Sequence, residues 1–128
     1  MDSESKGRVL IIDDSSFIIK QLTQILLGGS YEMVGTANNG EEGVKLYKSM
    51  QDKVDLILCD INMPVQDGIT TLAQIKALNP KAKVVMISTQ STMDTVKKAI
   101  MLGAKSFIVK PPVYKTVLER INSVLGHV

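Results

Sequence analysis

Several short apolar runs of the sequence end in side chains that could act together chemically. The carboxylates Asp13 and Asp14 follow the first run, and Asp60 ends another. A hydroxyl, Ser88, and an ammonium, Lys110, close two later runs. Three neighbouring carboxylates repel one another at neutral pH, so their convergence requires a compensating cation or a bound proton. Oxygen donors of this kind favour Mg²⁺ or a similar hard cation.

This set of groups is suited to phosphoryl transfer onto a carboxylate, provided that the side chains meet. A divalent cation and the Lys110 ammonium would neutralise charge on the transferred group. The Ser88 hydroxyl would donate a hydrogen bond to one of its oxygens. The chemistry therefore depends on the elements that position these residues.

Apolar runs alternate with amphipathic stretches five times along the chain, which predicts a repeated βα unit. Asp14 or Ser15 is placed to cap the first helix, and Gly103 to end the fourth. His127 falls in a tail that we expect to fray. The predicted strands cover residues 8–13, 31–37, 55–60, 83–88 and 105–109, and the predicted helices cover residues 15–27, 41–50, 68–78, 91–102 and 112–125. The predicted inward positions of the last helix are Val113, Val117, Leu118, Ile121 and Leu125.

The predicted strands are apolar throughout, which is typical of a parallel sheet covered by helices on both faces. Right-handed crossovers then give a doubly wound α/β fold, a flavodoxin-like three-layer sandwich of five strands in the order 2-1-3-4-5. In such folds the carboxyl ends of the strands share one edge, where ligands bind. We therefore expect the polar side chains to converge at that edge.

Length and composition favour a single globular domain. The chain has 128 residues, and we treat residues 1–128 as one domain with a structured core of about residues 8–125. No apolar run approaches the roughly 18 residues needed to span a bilayer, and the polar N-terminus does not resemble a signal peptide. The single cysteine, Cys59, lies inside an apolar run. These features predict a cytoplasmic protein.

Charge is divided unevenly along the chain. Residues 1–67 contain six Lys or Arg and eleven Asp or Glu, whereas residues 68–128 contain nine and two. The division indicates either two surfaces with different partners or solvated faces that happen to segregate. Scattered basic residues and an aromatic content of 4% argue against nucleic-acid binding. A docking face in the basic half would combine Met93 and Met101 with Lys97, Lys98, Lys105 and Lys115.

Five motifs, in order, resemble the receiver domain of bacterial response regulators. They are Asp13-Asp14, Asp60-x-Asn62-Met63-Pro64, Asp67-Gly68, Ser88 and Phe107-x-x-Lys110-Pro111. The resemblance covers nearly the whole chain and extends to the stand-alone chemotaxis regulators of that family. It implies a phosphorylation-activated signalling switch of a two-component system. It does not imply a metabolic enzyme, because only self-phosphorylation and self-dephosphorylation are expected.

The resemblance also implies roles for the residues of the site. Asp60 is expected to accept the phosphoryl group, and Lys110 to pair first with Asp60 and then with that group. Mg²⁺ is expected to be bound directly by Asp14, by Asp60 and by the backbone carbonyl of Asn62, and through water by Asp13. The side chain of Asn62 lies at a position that tunes hydrolysis of the acyl phosphate in the family.

A conformational switch is implied as well. Ser88 is expected to move towards the phosphoryl oxygen, and Phe107 to turn into the space that Ser88 leaves. Ser88 keeps the hydroxyl of the threonine that is usual at this position. Phe107 lacks the phenol of the usual tyrosine, which could bind a partner, so the identity of the partner stays open. Gln90 is a second position that tunes hydrolysis. The Lys110-Pro111 peptide bond is expected to be cis.

The resemblance implies several partners. The phosphoryl donor would be a phosphohistidine on a sensor histidine kinase. The output face would be formed by the fourth helix, the fifth strand and the fifth helix, which belong to the basic half, so the target should carry an acidic segment. That target could be a flagellar motor switch, and a phosphatase is a further candidate. Neither nucleic acid nor a membrane is expected.

Other functions stay open. The protein could be an intermediate or a phosphate sink in another phosphorelay. An FMN-binding flavodoxin-like protein shares the fold, but two carboxylates in its first turn would repel phosphate unless a metal intervened. An aspartyl-nucleophile phosphatase is also possible, although such enzymes carry Asp-x-Asp after the first strand, where Asp13 and Asp14 are adjacent here.

Overall fold

Five parallel strands form the centre of the computed structural model, which describes residues 5–89 and 92–127. The strands are β1 (Arg8–Ile12), β2 (Glu32–Ala37), β3 (Leu56–Asp60), β4 (Val84–Ser88) and β5 (Ser106–Val109). The helices are α1 (Ser16–Gly28), α2 (Gly40–Met50), α3 (Gly68–Leu78), α4 (Met93–Met101) and α5 (Tyr114–Leu125). The sheet order is β2-β1-β3-β4-β5, which confirms the predicted doubly wound fold.

Side-chain caps determine where helices begin. Ser15, and not Asp14, caps α1 by accepting a hydrogen bond from the backbone N–H of Ile18 at 3.2 Å. Thr92 caps α4 in the same way, so within the described residues this helix begins at Met93. Residue 91, where the helix was predicted to begin, lies outside the described residues. A short polar side chain satisfies N–H groups that the first helical turn leaves without partners.

The last helix begins two residues later than predicted. Pro112 is followed by an extended Val113, with φ −110° and ψ 129°, and α5 starts at Tyr114. Val113 is 56% exposed, so the prediction that it faces inward is wrong. Val117 and Ile121 are fully buried, as predicted.

The helices cover the sheet on both faces. Residues of α2, α3 and α4 pack on one face, and residues of α1 and α5 pack on the other. The central strands β3 and β4 are buried along their whole length. The edge strands β2 and β5 keep exposed residues such as Glu32 and Val109, so the prediction of strands apolar and covered throughout is wrong at the edges.

Cys59 and His127 are both held by packing. Cys59 is buried in β3, and burial raises the pKa of its thiol. The Nε2 of His127 lies 2.7 Å from the carbonyl oxygen of Lys6, and its ring meets that of Tyr31 edge to face. The expectation of a frayed tail at His127 is therefore wrong.

Across the described residues, no helix combines the length and apolar character that membrane crossing requires.

Candidate functional site

The carboxyl ends of the strands bring the predicted side chains to one edge of the sheet. Asp13 directly follows β1, Asp60 and Ser88 are the last residues of β3 and β4, and Lys110 directly follows β5. The backbone N–H of Asp13 donates to the carbonyl of Ala37 at 3.0 Å, and that of Lys110 donates to the carbonyl of Ser88 at 2.8 Å. The strand ladder thus continues to the first residue beyond each strand and holds the site residues in place.

Three carboxylates cluster at this edge. One oxygen from each of Asp13, Asp14 and Asp60 lies within 4.8 Å of the other two. Asp13 and Asp60 are buried, whereas Asp14 is exposed. The cluster therefore meets solvent on the side of Asp14.

Lys110 places its ammonium between the two buried carboxylates. Its Nζ lies 3.0 Å from the Oδ2 of Asp13 and 3.3 Å from the Oδ1 of Asp60. Only 9% of the Lys110 side chain is exposed. Water screens these charges weakly, so the ammonium offsets part of the repulsion between the acids.

The ammonium does not fully compensate the negative charge. Burial and the neighbouring charge of Asp13 raise the pKa of Asp60 to about 6, against the lowering effect of Lys110. The Oδ1 of Asp13 accepts a hydrogen bond from the backbone N–H of Ser15 at 2.9 Å. The buried Oδ2 faces the ammonium but accepts no hydrogen bond from the described residues. The cluster can therefore accept further positive charge.

Ser88 lies beside the carboxylates and contacts the loop that follows β3. It is 1% exposed, and its Oγ accepts a hydrogen bond from the Nδ2 of Asn62 at 3.4 Å. Sequence reasoning considered a metal-binding backbone carbonyl for Asn62 and missed this side-chain contact. The signal that could have found it is the position of Asn62, two residues beyond one strand end and next to the end of the adjacent strand.

Comparison with known proteins identifies the family. The sequence signature of the response regulator receiver domain matches residues 9–122. The chain belongs to the response regulator receiver domain family. This family consists of signalling domains and not of classical enzymes, which decides against the FMN-binding and phosphatase alternatives.

Individual relatives agree with this membership. The chain is 52% identical over 118 residues to a chemotaxis protein CheY of Treponema pallidum, covering 92% of this chain and 82% of that protein. It is 42% identical over 119 residues to the CheY of Bacillus subtilis, covering 93% and 98%. Among solved structures, a CheX-CheY-BeF3-Mg+2 complex from Borrelia burgdorferi matches with a TM-score of 0.92 and 43% identity, covering 96% of this chain and 92% of that chain.

The acidic cluster of this receiver domain is compatible with Mg²⁺. Mg²⁺ prefers hard oxygen ligands and keeps several waters, so a partial set of protein carboxylates is sufficient. The exposed Asp14 leaves the cluster accessible, and the buried Oδ2 of Asp13 has unused acceptor capacity. These features of the donor atoms fit a divalent cation.

The loop between β3 and α3 closes tightly on the end of the acceptor strand. A Cβ at Gly68 would lie 2.0 Å from the carbonyl oxygen of Asp60 and 2.6 Å from the Cα of Ile61. The N–H of Gly68 donates to the carbonyl of Ile61 at 2.7 Å. Any larger residue at position 68 would displace the loop from the strand, so Gly68 helps to hold the receiver site in shape.

The remaining predictions concern Phe107, the Lys110-Pro111 bond and Gln90. Phe107 is half-buried and packs against the apolar cluster on the α2, α3 and α4 face. The Lys110-Pro111 peptide bond is cis, as predicted. Gln90 lies outside the described residues of this receiver domain.

Proposed function

We propose that this receiver domain is a chemotaxis switch that accepts a phosphoryl group on Asp60 from a histidine kinase. The observation that carries the proposal is the 3.3 Å contact between Lys110 and a buried Asp60 whose pKa is raised by its surroundings. A carboxylate in this position is close to a cation that can bind the incoming group. The similarity to chemotaxis proteins supports chemotaxis as the pathway in which the switch acts.

The proposed reaction is transfer from a phosphohistidine to Asp60. A carboxylate oxygen of Asp60 forms a bond to phosphorus as the bond between phosphorus and the histidine nitrogen breaks. Lys110 binds the transferred group, and the Ser88 hydroxyl donates to one of its oxygens. Asp14, Asp60 and the backbone carbonyl of Asn62 would hold Mg²⁺ directly and Asp13 would hold it through water, and the ion would supply additional neutralising charge.

We further propose that residues 1–128 form one domain that carries no catalytic activity towards other molecules. Self-phosphorylation by small acyl phosphates and self-dephosphorylation of Asp60 are its expected reactions. Roles as a relay intermediate or as a phosphate sink use the same site and differ only in the partner. In the proposed switch, the shift of Ser88 makes room for Phe107 and alters the packing of α4.

The output surface in this proposal is the face of α4, β5 and α5. Met93 is 71% exposed and Met101 is 85% exposed, and both lie on α4 with the exposed Lys97 and Lys98. Exposed methionines beside lysines favour an acidic partner segment that also carries apolar side chains. Candidate partners are a flagellar motor switch and a phosphatase. The solved complex of a related CheY with CheX supports a protein as the partner.

The proposed function is tested by incubating the protein with Mg²⁺ and acetyl phosphate and measuring intact mass. The wild type should gain about 80 Da, the mass of one phosphoryl group, and hydroxylamine should remove it. Asp60→Asn should gain nothing, whereas the control Asp52→Asn, an exposed acid before β3, should behave like the wild type. An unmodified wild type, or equal modification of Asp60→Asn, would contradict the proposal.

A further inference from the structure

A hydrogen bond between Asn62 and Ser88 joins the loop after β3 to the end of β4, beside Asp60. Asn62 lies in the loop after β3, and Ser88 ends β4, the adjacent strand. The Nδ2 of Asn62 donates to the Oγ of Ser88 at 3.4 Å. The two residues are 26 positions apart in sequence, so the contact exists only because the strands are paired.

The backbone holds both ends of this contact. The N–H of Ile61 donates to the carbonyl of Ile87 at 3.1 Å, one residue before each partner. The N–H of Gly68 donates to the carbonyl of Ile61 at 2.7 Å and closes the loop that carries Asn62. Ser88 is buried, so its hydroxyl is sheltered from competing water.

The direction of the hydrogen bond from Asn62 determines where the Ser88 hydroxyl can donate its proton. A hydroxyl carries one proton and two lone pairs. Since Ser88 accepts from Asn62 through a lone pair, its proton is directed to an acceptor other than Asn62. An accepted hydrogen bond also polarises the hydroxyl and strengthens the bond that it donates.

We propose that the Asn62 side chain is a positioning residue, whose bond to Ser88 orients the hydroxyl that then shifts to donate to a phosphoryl group on Asp60. The inference rests on the proposed function and adds a residue to it. Asn62 acts here through its amide and through Ser88, independently of the metal-binding role proposed for its backbone carbonyl. Asn62→Ala removes the side-chain amide and keeps the backbone carbonyl, so the two roles can be separated.

The experiment uses Mg²⁺ with beryllium fluoride, which mimics a phosphoryl group on a carboxylate and cannot be transferred further. Affinity is measured by calorimetry, and the bound fluorines are observed by ¹⁹F NMR. Asn62→Ala should weaken beryllium fluoride binding about two- to twelvefold, the range for one neutral hydrogen bond. Its affinity for Mg²⁺ alone is measured as well, so that the loss of beryllium fluoride affinity is compared at equal occupancy by Mg²⁺. The ¹⁹F spectrum of the bound group should also change.

A double-mutant cycle shows whether Asn62 acts through Ser88. In a Ser88→Ala background, Asn62→Ala should cause no further loss of beryllium fluoride affinity. Asn62→Leu, similar in size but unable to donate, should match Asn62→Ala, and Asn62→Gln should recover part of the affinity. Agreement of the Leu and Ala variants would show that size is not the cause.

The possible outcomes separate this inference from the proposed function. Equal losses in the wild-type and Ser88→Ala backgrounds would overturn the positioning role, as would an unchanged affinity in Asn62→Ala. Neither result would contradict the proposed phosphorylation of Asp60. Failure of the wild type to bind beryllium fluoride in the presence of Mg²⁺ would overturn the proposed function together with this inference.

Discussion

The Nζ of Lys110 lies 3.3 Å from the Oδ1 of Asp60, and only 9% and 3% of the two side chains are exposed. A charge pair so sheltered from water interacts more strongly than one at the surface, and removal of Lys110 would leave the buried carboxylates in an unfavourable environment. The contact therefore couples the stability of the fold to the charge state of the site.

Replacing Lys110 by alanine should destabilise the metal-free protein. The substitution leaves Asp13 and Asp60 without their cation, so the free energy of unfolding at pH 7 should fall by about 3 kcal/mol. Urea unfolding in EDTA measures the change. Lys105→Ala, an exposed lysine one residue before β5, is the matched control and should have little effect. Equal losses in the two variants would show that the buried ion pair contributes no specific stability.

Replacing Asp60 by asparagine should stabilise the metal-free protein above neutral pH. The pKa of Asp60 is raised to about 6, so the folded state disfavours its ionised form. The stability of the wild type should therefore fall as pH rises from about 4, where the unfolded chain titrates, through 6. The asparagine side chain carries no charge at any of these pH values, so the variant should avoid that loss.

The difference between the two proteins should thus depend on pH. Asp60→Asn should exceed the wild type by on the order of 2 kcal/mol at pH 8 and match it near pH 4. Urea unfolding in EDTA across this range gives both values. A gap that stays constant with pH would show that ionisation of Asp60 is not its cause.

Much of the site could be predicted because it depends on strand ends. Buried parallel strands are recognisable as short apolar runs, and the polar residue that ends each run must lie at the shared edge of the sheet. This reasoning placed Asp13, Asp60, Ser88 and Lys110 correctly at one edge. Register within a strand was not needed, since the last residue is determined by where the apolar run stops.

The parts that failed depend on contacts between distant segments or on backbone that the helical pattern does not reveal. That pattern placed Val113 inside, but the chain after Pro112 stays extended and the helix starts only at Tyr114. His127 has no local partner in the sequence and is held by Lys6 and Tyr31 from the other end of the chain. The contact of Asn62 with Ser88 likewise arises from pairing of two strands, so finding it requires the strand order as well as the positions of the two strand ends.

Mg²⁺ should stabilise the wild type against unfolding. A cation that binds only the folded state should add about 2.7 kcal/mol at 100 times its dissociation constant. Thermal unfolding with and without Mg²⁺ measures the effect. Asp14→Asn should reduce the Mg²⁺-dependent shift, because the exposed carboxylate completes the cluster, whereas Asp52→Asn should retain it. An equal shift in both variants would argue against binding at the cluster.

The charge of α4 should affect output without affecting phosphorylation. Replacing Lys97 and Lys98 together by glutamate reverses the charge of an exposed surface and leaves the buried cluster unchanged. The variant should therefore gain the phosphoryl adduct from acetyl phosphate as the wild type does, while its binding to an acidic output partner should weaken at least tenfold. Loss of the adduct in this variant would show that the two surfaces are not separate.

The central claim is that the carboxylate of Asp60 carries the phosphoryl group, and peptide mapping after borohydride reduction tests it most directly. Borohydride reduces an aspartyl phosphate to homoserine, which marks the modified position in a mass spectrum. After treatment with Mg²⁺ and acetyl phosphate, homoserine should be found at position 60. Homoserine at position 13 or 14 in its place, or no homoserine in a protein that carries the adduct, would contradict the account.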